Sequence, residues 1–314
     1  MARMTHVVAV AKLESGGYGT DAVPAAATAA DMVLCRNVTI KGMEAQQAAR
    51  NRVLPWHGHR GRPGLHSRSV QLTAEVPFCS AGAAGTVPAW GKLLRMCGMA
   101  EVITAGTNVS YTPVSAGQES GSWYYFMDGS RHRALGARGS FSVSLVAGEE
   151  PSISVDMTGL YSDPTAVALP TGNYTAWRDA VVPRANITTC QIGGFSLAMK
   201  SARYNHGNSV VVRDLPQVNE VRLVDRAPTL NVVVQAPDGL NPANFHQLIA
   251  NESETSVVIV HGPAAGDIVE LRCLQARLLP GITYEADGDV AMLGLSFMPR
   301  PSSSGNDEVQ IVAR

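Results

Sequence analysis

The sequence predicts a mainly β protein, built as a tandem duplication of one β-rich unit with a short flanking α-helix in each copy. Three observations carry this reading. A glycine turn, a stretch with Arg near its middle, an acidic turn, an alternating run and a proline stop occur in that order from Gly129 to Pro164, and again from Gly266 to Pro301. A short Pro-led helical segment lies upstream of each, Val87 to Leu94 and Asn241 to Ile249. An alternating strand precedes each helix, Ser69 to Val76 and Thr229 to Gln235. Identity between the copies is low; what repeats is the order and spacing of features.

The first hairpin is the clearest local signal. Phe141, Val143 and Leu145 alternate into the turn Ala147-Gly148-Glu149-Glu150, and Ile153, Val155 and Met157 alternate out of it. Side chains alternate across a strand, so this spacing puts one apolar face on both strands. In the second copy Ile282 and Tyr284 enter Asp287-Gly288-Asp289, and Val290 to Leu295 leave it. Asp-Gly favours a tight hairpin corner. In the helical segments Pro comes early, where its missing N–H is tolerated, and an aromatic with two aliphatics follows on one face.

Taken in order, residues 1–31 form an amino-terminal arm, with turns required at Gly16-Gly17-Tyr18-Gly19. Residues 32–165 are the first unit, 166–187 a joining segment, 188–301 the second unit and 302–314 a tail. The first strand, Met32 to Lys41, is expected to put Val33, Cys35, Asn37 and Thr39 on one face. The long segment 42–68 carries Arg50, Arg52, Arg60, Arg62 and Arg68 with Trp56, His57, His59 and His66. Its counterpart, 201–226, contains Arg213-Asp214 and Arg222 between valines and reads as an extended hairpin arm. Val109 to Thr112 and Ser122 to Asp128 are further strands, and Glu308 to Ala313 is a possible added one. The joining segment holds Tyr174 and Trp177 among prolines, which points to docking on a surface.

Bulk properties narrow the function. A chain of 314 residues accommodates two units of ordinary domain size. With 45% hydrophobic and 16% charged residues it is expected to fold, and a net charge of −1 gives no overall attraction to nucleic acid or membrane. Five scattered cysteines without a CxxC pair argue against a zinc or redox site and fit a reducing compartment. The apolar run Val7 to Ala11 is too short for a membrane span. His57-Gly58-His59 has metal-compatible spacing, but neighbouring Arg60 and Arg62 would repel a cation. The acids of the two turns read as exposed turn residues, and no G-x-S-x-G, Walker A or dinucleotide fingerprint is present. No enzyme is expected and no cofactor. A duplicated β-rich chain without a catalytic constellation points instead to assembly through sheet edges and arms.

The residues that carry a family resemblance are Ala11 to Ser15, Tyr18 to Asp21 with Pro24, and Leu34 to Ile40; then Pro88 to Gly98, Tyr111 to Ser115, Leu135 to Gly139 and Gly159 to Tyr161. Val212-Arg213-Asp214 and Arg226-Ala227-Pro228 fit as well. In that order they resemble the tail tube proteins (major tail proteins) of long-tailed bacteriophages and related prophages. The resemblance covers nearly the whole chain. It implies a tail-tube β-sandwich or barrel unit: two packed antiparallel sheets, a flanking helix and a long arm reaching neighbouring rings. It further implies stacked rings forming a hollow tube that delivers DNA to the host, in the virion tail, assembled in the host cytoplasm. Single-unit tube proteins form hexameric rings, so a two-unit chain would form trimeric rings with pseudo-sixfold symmetry. Expected partners are other copies, the tape measure protein and viral DNA in the lumen, and the tail terminator and tip proteins. No membrane is involved. The expected assembly-interface residues are Tyr18, Arg50, Arg52, Trp56, Arg60, Arg62, Arg213, Asp214, Arg222 and Arg226. The alternatives are another β-rich virion component, a tail terminator or decoration protein, or a carbohydrate-binding β-sandwich.

Overall fold

A computed structural model describes residues 7–23, 28–48, 55, 63–127, 129–185, 187–238 and 244–314. The first half holds β1 (Val7–Leu13), β2 (Met32–Val33), β3 (Arg36–Ala48), β4 (Gly64–Pro77) and helix α1 (Gly91–Met96). It continues with β5 (Met99–Thr104), β6 (Asn108–Pro113), β7 (Gly121–Met127), β8 (Ser130–Val146) and β9 (Ser152–Thr165). The second half holds β10 (Thr188–Ile192), β11 (Phe195–Leu197), β12 (Met199–Asn205), β13 (Asn208–Leu215), β14 (Val218–Arg226) and β15 (Thr229–Gln235). After helix α2 (Phe245–Ala250) come β16 (Glu254–His261), β17 (Val269–Leu278), β18 (Thr283–Asp287), β19 (Val290–Pro299) and β20 (Gln310–Ala313). The fold is mainly β, as the sequence predicts.

The pairings fall into two runs. In the first half the order across the sheet is β3-β4-β9-β8-β7-β1, all antiparallel. In the second it is β12-β15-β19-β17-β16-β10, also all antiparallel. Position by position, the two runs use their strands in the same chain order. Each helix falls at the same step, α1 between β4 and β7 and α2 between β15 and β16. The runs join where β12 pairs with β8 through its second edge, and where β20 bridges β17 and β6. Among the described residues hydrogen bonding therefore links 18 strands, and the β13–β14 hairpin forms a separate sheet.

Local sequence explains most of these elements. Phe141, Val143, Leu145, Ile153, Val155 and Met157 are all buried on the β8–β9 hairpin, as their alternation requires. Trp90, Leu93 and Leu94 are buried against the sheet by α1. In α2, Phe245 does the same, and the Asn244 side chain caps the helix by accepting from Gln247 N at 3.1 Å. The joining segment is docked: Trp177 is buried and its Nε1 donates to Met32 O at 2.8 Å.

Four readings of the sequence are corrected. The segment read as an amino-terminal arm contains β1, an interior strand paired with β7 along its full length, with Val10 and Ala11 at 0% exposure. The expected face of Val33, Cys35, Asn37 and Thr39 holds only as far as Cys35: strand β3 half-buries Val38 and Ile40 and exposes Asn37 and Thr39. Asn37 has φ +52° and the pairing with β4 slips there, which breaks the alternation. The first β segment divides, since β2 pairs with β1 while β3 pairs with β4. Finally, the Asp287-Gly288-Asp289 hairpin forms, with Gly288 at φ +61°, but β18 is exposed along its length and Tyr284 is 66% exposed. The buried residues of this hairpin, Met292, Leu293 and Leu295, all lie on β19.

One buried group makes stability depend on pH. His206 is fully buried, stacked on Phe141 with ring centroids 4.8 Å apart, and its Nδ1 lies 2.8 Å from Tyr204 Oη. Burial, with a contribution from Arg226, pushes its pKa down to about 3. The folded chain thus keeps this ring neutral, whereas the unfolded chain protonates it near 6.5. Below that value the unfolded state binds the extra proton, so stability falls as pH drops from about 6.5 towards 3. At pH 5 the expected loss from this group is ~2 kcal/mol. Thermal denaturation from pH 7 to pH 5 checks this: the His206→Gln variant should show a shallower pH slope than the parent.

Candidate assembly surfaces

Three polar clusters tie elements distant in sequence. The first surrounds Tyr18. Its hydroxyl donates to Gly136 O at 3.0 Å and accepts from Val221 N at 2.5 Å, joining the amino-terminal segment, β8 and β14. Arg138 lies over the Tyr18 ring at 4.9 Å. Its guanidinium donates to Val221 O at 2.8 Å, Gln118 O at 2.8 Å and Glu119 O at 3.1 Å. Burial raises the Tyr18 pKa, opposed by the bond from Val221. Gly136 has φ +60°, and a Cβ there would meet Tyr18 Cζ at 2.5 Å, so both the backbone and the close approach require glycine. Glu14 completes the cluster by accepting from Gly19 N, Ser120 Oγ, Ser122 Oγ and Gly136 N at 2.7–3.0 Å. Removing the hydroxyl in Tyr18→Phe leaves the N–H of buried Val221 without its partner, and is expected to cost about 1–2 kcal/mol in denaturant unfolding.

The second cluster is the β13–β14 arm, which lies against the first half with Val221 at 0% and Leu223 at 6% exposure. Arg213 pairs across the hairpin with Glu220 at 2.6 Å. Asp214 accepts from Ser67 N at 2.6 Å, so the two arms meet. Arg222 is 3.9 Å from Glu220 and keeps 56% of its side chain exposed. The third cluster is Arg226. It forms an ion pair with Glu308 and donates to Val114 O at 3.1 Å and Asn306 Oδ1 at 2.7 Å. The carboxyl-terminal segment is thereby fastened to both halves.

Of the residues expected at an assembly interface, Tyr18, Arg213, Asp214 and Arg226 hold contacts inside the chain, and Arg222 is the most open to solvent. Arg50, Arg52, Trp56, Arg60 and Arg62 lie outside the described residues, as do His57 and His59. Sequence reasoning missed Glu14, Arg138 and Glu308, whose partners lie up to 122 residues away. Only an acid or arginine inside an otherwise apolar or glycine-rich stretch could have marked them.

Among the described residues no group of three or more His, Cys, Asp or Glu could hold a metal ion. A cleft of about 590 Å³ opens beside Arg226 and is lined by Leu223, Pro228, Met298, Pro299 and Glu308, among others. Among the described residues no aromatic ring lines it. No described helix is long and apolar enough to cross a membrane.

The structure defines an antiparallel β protein with a repeated strand order, a long hairpin arm and arginines used as clamps within the chain. Family comparison makes this specific. A family model described as phage tail tube protein matches residues 6–311, and the chain belongs to that family. No curated protein matches it. Membership makes the chain a structural component of the viral tail and implies self-assembly into a tube.

Proposed function

We propose that three copies of this chain close into a ring with pseudo-sixfold symmetry, that rings stack into a hollow tube, and that viral DNA passes through its lumen into the host. The observation that carries the reading is the repeated order, β3-β4-β9-β8-β7-β1 and β12-β15-β19-β17-β16-β10. Two units with one connectivity are what a tandem duplication leaves. A chain carrying two such units fills two neighbouring places in a ring. The first unit then begins at β1 rather than residue 32, because β1 holds in one run the place β10 holds in the other.

Supporting the same reading, the arm β13–β14 of the second unit already lies across the first unit. The arm of the first unit, 42–68, would lie across the next chain or the next ring, with its arginines making ion pairs there. A lumen that carries DNA must not hold it, and a net charge of −1 fits sliding better than binding. The tape measure protein inside the tube, and terminator and tip proteins at its ends, are the remaining partners. The chain needs no catalytic chemistry for this role.

Electron microscopy of purified assemblies, with mass measurement of the smallest closed species, tests the reading. Stacked hollow rings of three chains are expected. Rings of six chains would overturn the ring count and keep the tube. A chain that forms no ring even when seeded with tail tips, and is absent from virion tails, would overturn the function.

A further inference from the structure

The two units differ at one edge. Inside the chain, β12 pairs on one side with β15 and on the other with the end of β8. Its register on β8 runs Asn205↔Ser142, Tyr204↔Val143, Arg203↔Ser144. The counterpart of β12 is β3, which has β4 as its one strand partner among the described residues. The counterpart of the end of β8 is β18, whose one described strand partner is β19. So among the described residues β3 lacks the second partner that β12 has, and β18 the one that β8 has.

Registers fix the equivalence residue by residue. Ile40 faces Leu72, which faces Met157, which faces Gly139. Tyr204 faces Leu230, which faces Phe297, which faces Leu278. Four residues before Met157, Ile153 pairs with Val143; four before Phe297, Leu293 pairs with Tyr284. Ile40 thus stands where Tyr204 stands, and Tyr284 where Val143 stands. The side chains agree with this. In the chain, Val143 and Tyr204 are buried against each other at 1% exposure each. At the open edges Tyr284 is 66% exposed and Ile40 half-buried, an aromatic and an aliphatic residue with their places exchanged.

We infer that β18 of one copy pairs antiparallel with β3 of the next, with Thr283 opposite Lys41, Tyr284 opposite Ile40 and Glu285 opposite Thr39. The inference rests on the ring reading above and names the seam that closes the ring. The contact is heterologous: each copy offers β18 to one neighbour and β3 to the other, as ring closure requires. Main-chain bonds along two open edges supply the pairing, and Tyr284 on Ile40 supplies apolar burial that neither edge achieves alone. Lys41 next to Glu285 across the seam adds a charge match.

Cysteine cross-linking on assembled tubes tests it. The pair Glu285→Cys with Thr39→Cys places exposed residues opposite each other. Under mild oxidation it should give chain-to-chain bonds up to a closed covalent ring on non-reducing gels, against little in either single variant. The pair Asp287→Cys with Lys41→Cys is four residues out of register, about 13 Å apart along the strands, and should not cross-link. Intact tubes with no bond in the first pair, or with an equal yield in the second, would overturn the seam and leave the rings standing. A wild-type chain that makes no rings would overturn the ring reading and this inference with it. As an independent arm, Tyr284→Asp alters a side chain exposed in the single chain, so the monomer should keep its melting temperature while ring formation falls at least tenfold. Unchanged assembly by that variant would overturn the seam.

Discussion

Replacing Arg226 by alanine is expected to destabilise the chain by about 3–5 kcal/mol, because it strands a buried carboxylate. Glu308 is 2% exposed and its Oε2 has no hydrogen-bond partner among the described residues, so the ion pair with Arg226 is its main compensation. The guanidinium also satisfies Val114 O and Asn306 Oδ1, which alanine leaves open. Lysine should recover only part of the loss, since a point charge cannot make all three contacts at once. A double variant, Arg226→Met with Glu308→Leu, should be less destabilised than Arg226→Ala, because no charge is left unpaired. Denaturant unfolding of the unassembled chain measures all three. A loss below about 1 kcal/mol for Arg226→Ala would mean that water reaches Glu308 and that the clamp is not what fastens the carboxyl-terminal strand.

The second large effect is expected at Trp90. Trp90→Ala should cost about 3–5 kcal/mol, the range for deleting a buried aromatic. The indole is 1% exposed and packs between Phe78, at 5.5 Å between centroids, and Tyr111, at 5.2 Å. Its Nε1 donates to Cys79 O at 2.6 Å, so truncation also strands a carbonyl. Trp90→Phe should lie between, keeping most of the volume and losing the bond. The same loss should show as faster proteolysis near β5 and β6, which pack beyond α1. If Trp90→Ala unfolds at the parent's denaturant midpoint, α1 does not anchor the first unit.

Much of the fold was legible in the residues themselves. Strict alternation around an acidic turn was enough for β8 and β9, since a strand with one buried face writes that face every second residue. The two helices were legible because an aromatic and two aliphatics at helical spacing follow a proline. The strand β1 was not. Its run of Val7, Val8, Ala9, Val10 and Ala11 is covered on both faces, so it has no alternation, and a short apolar run near a terminus reads as a lead-in.

The sequence by itself determined the β class and the local hairpins, because each depends on residues within a few positions of one another. The tertiary structure alone decided the rest. It set β12 beside β8, Tyr18 beneath Val221, and Arg226 against Glu308, which are 82 residues apart. Among the described residues it also left β18 and β3 each with one strand partner where their counterparts have two. Contacts across such separations depend on how strands are ordered in space, and strand order leaves no period in the chain. A lone Arg or Glu looks the same in sequence whether it faces water or holds two units together.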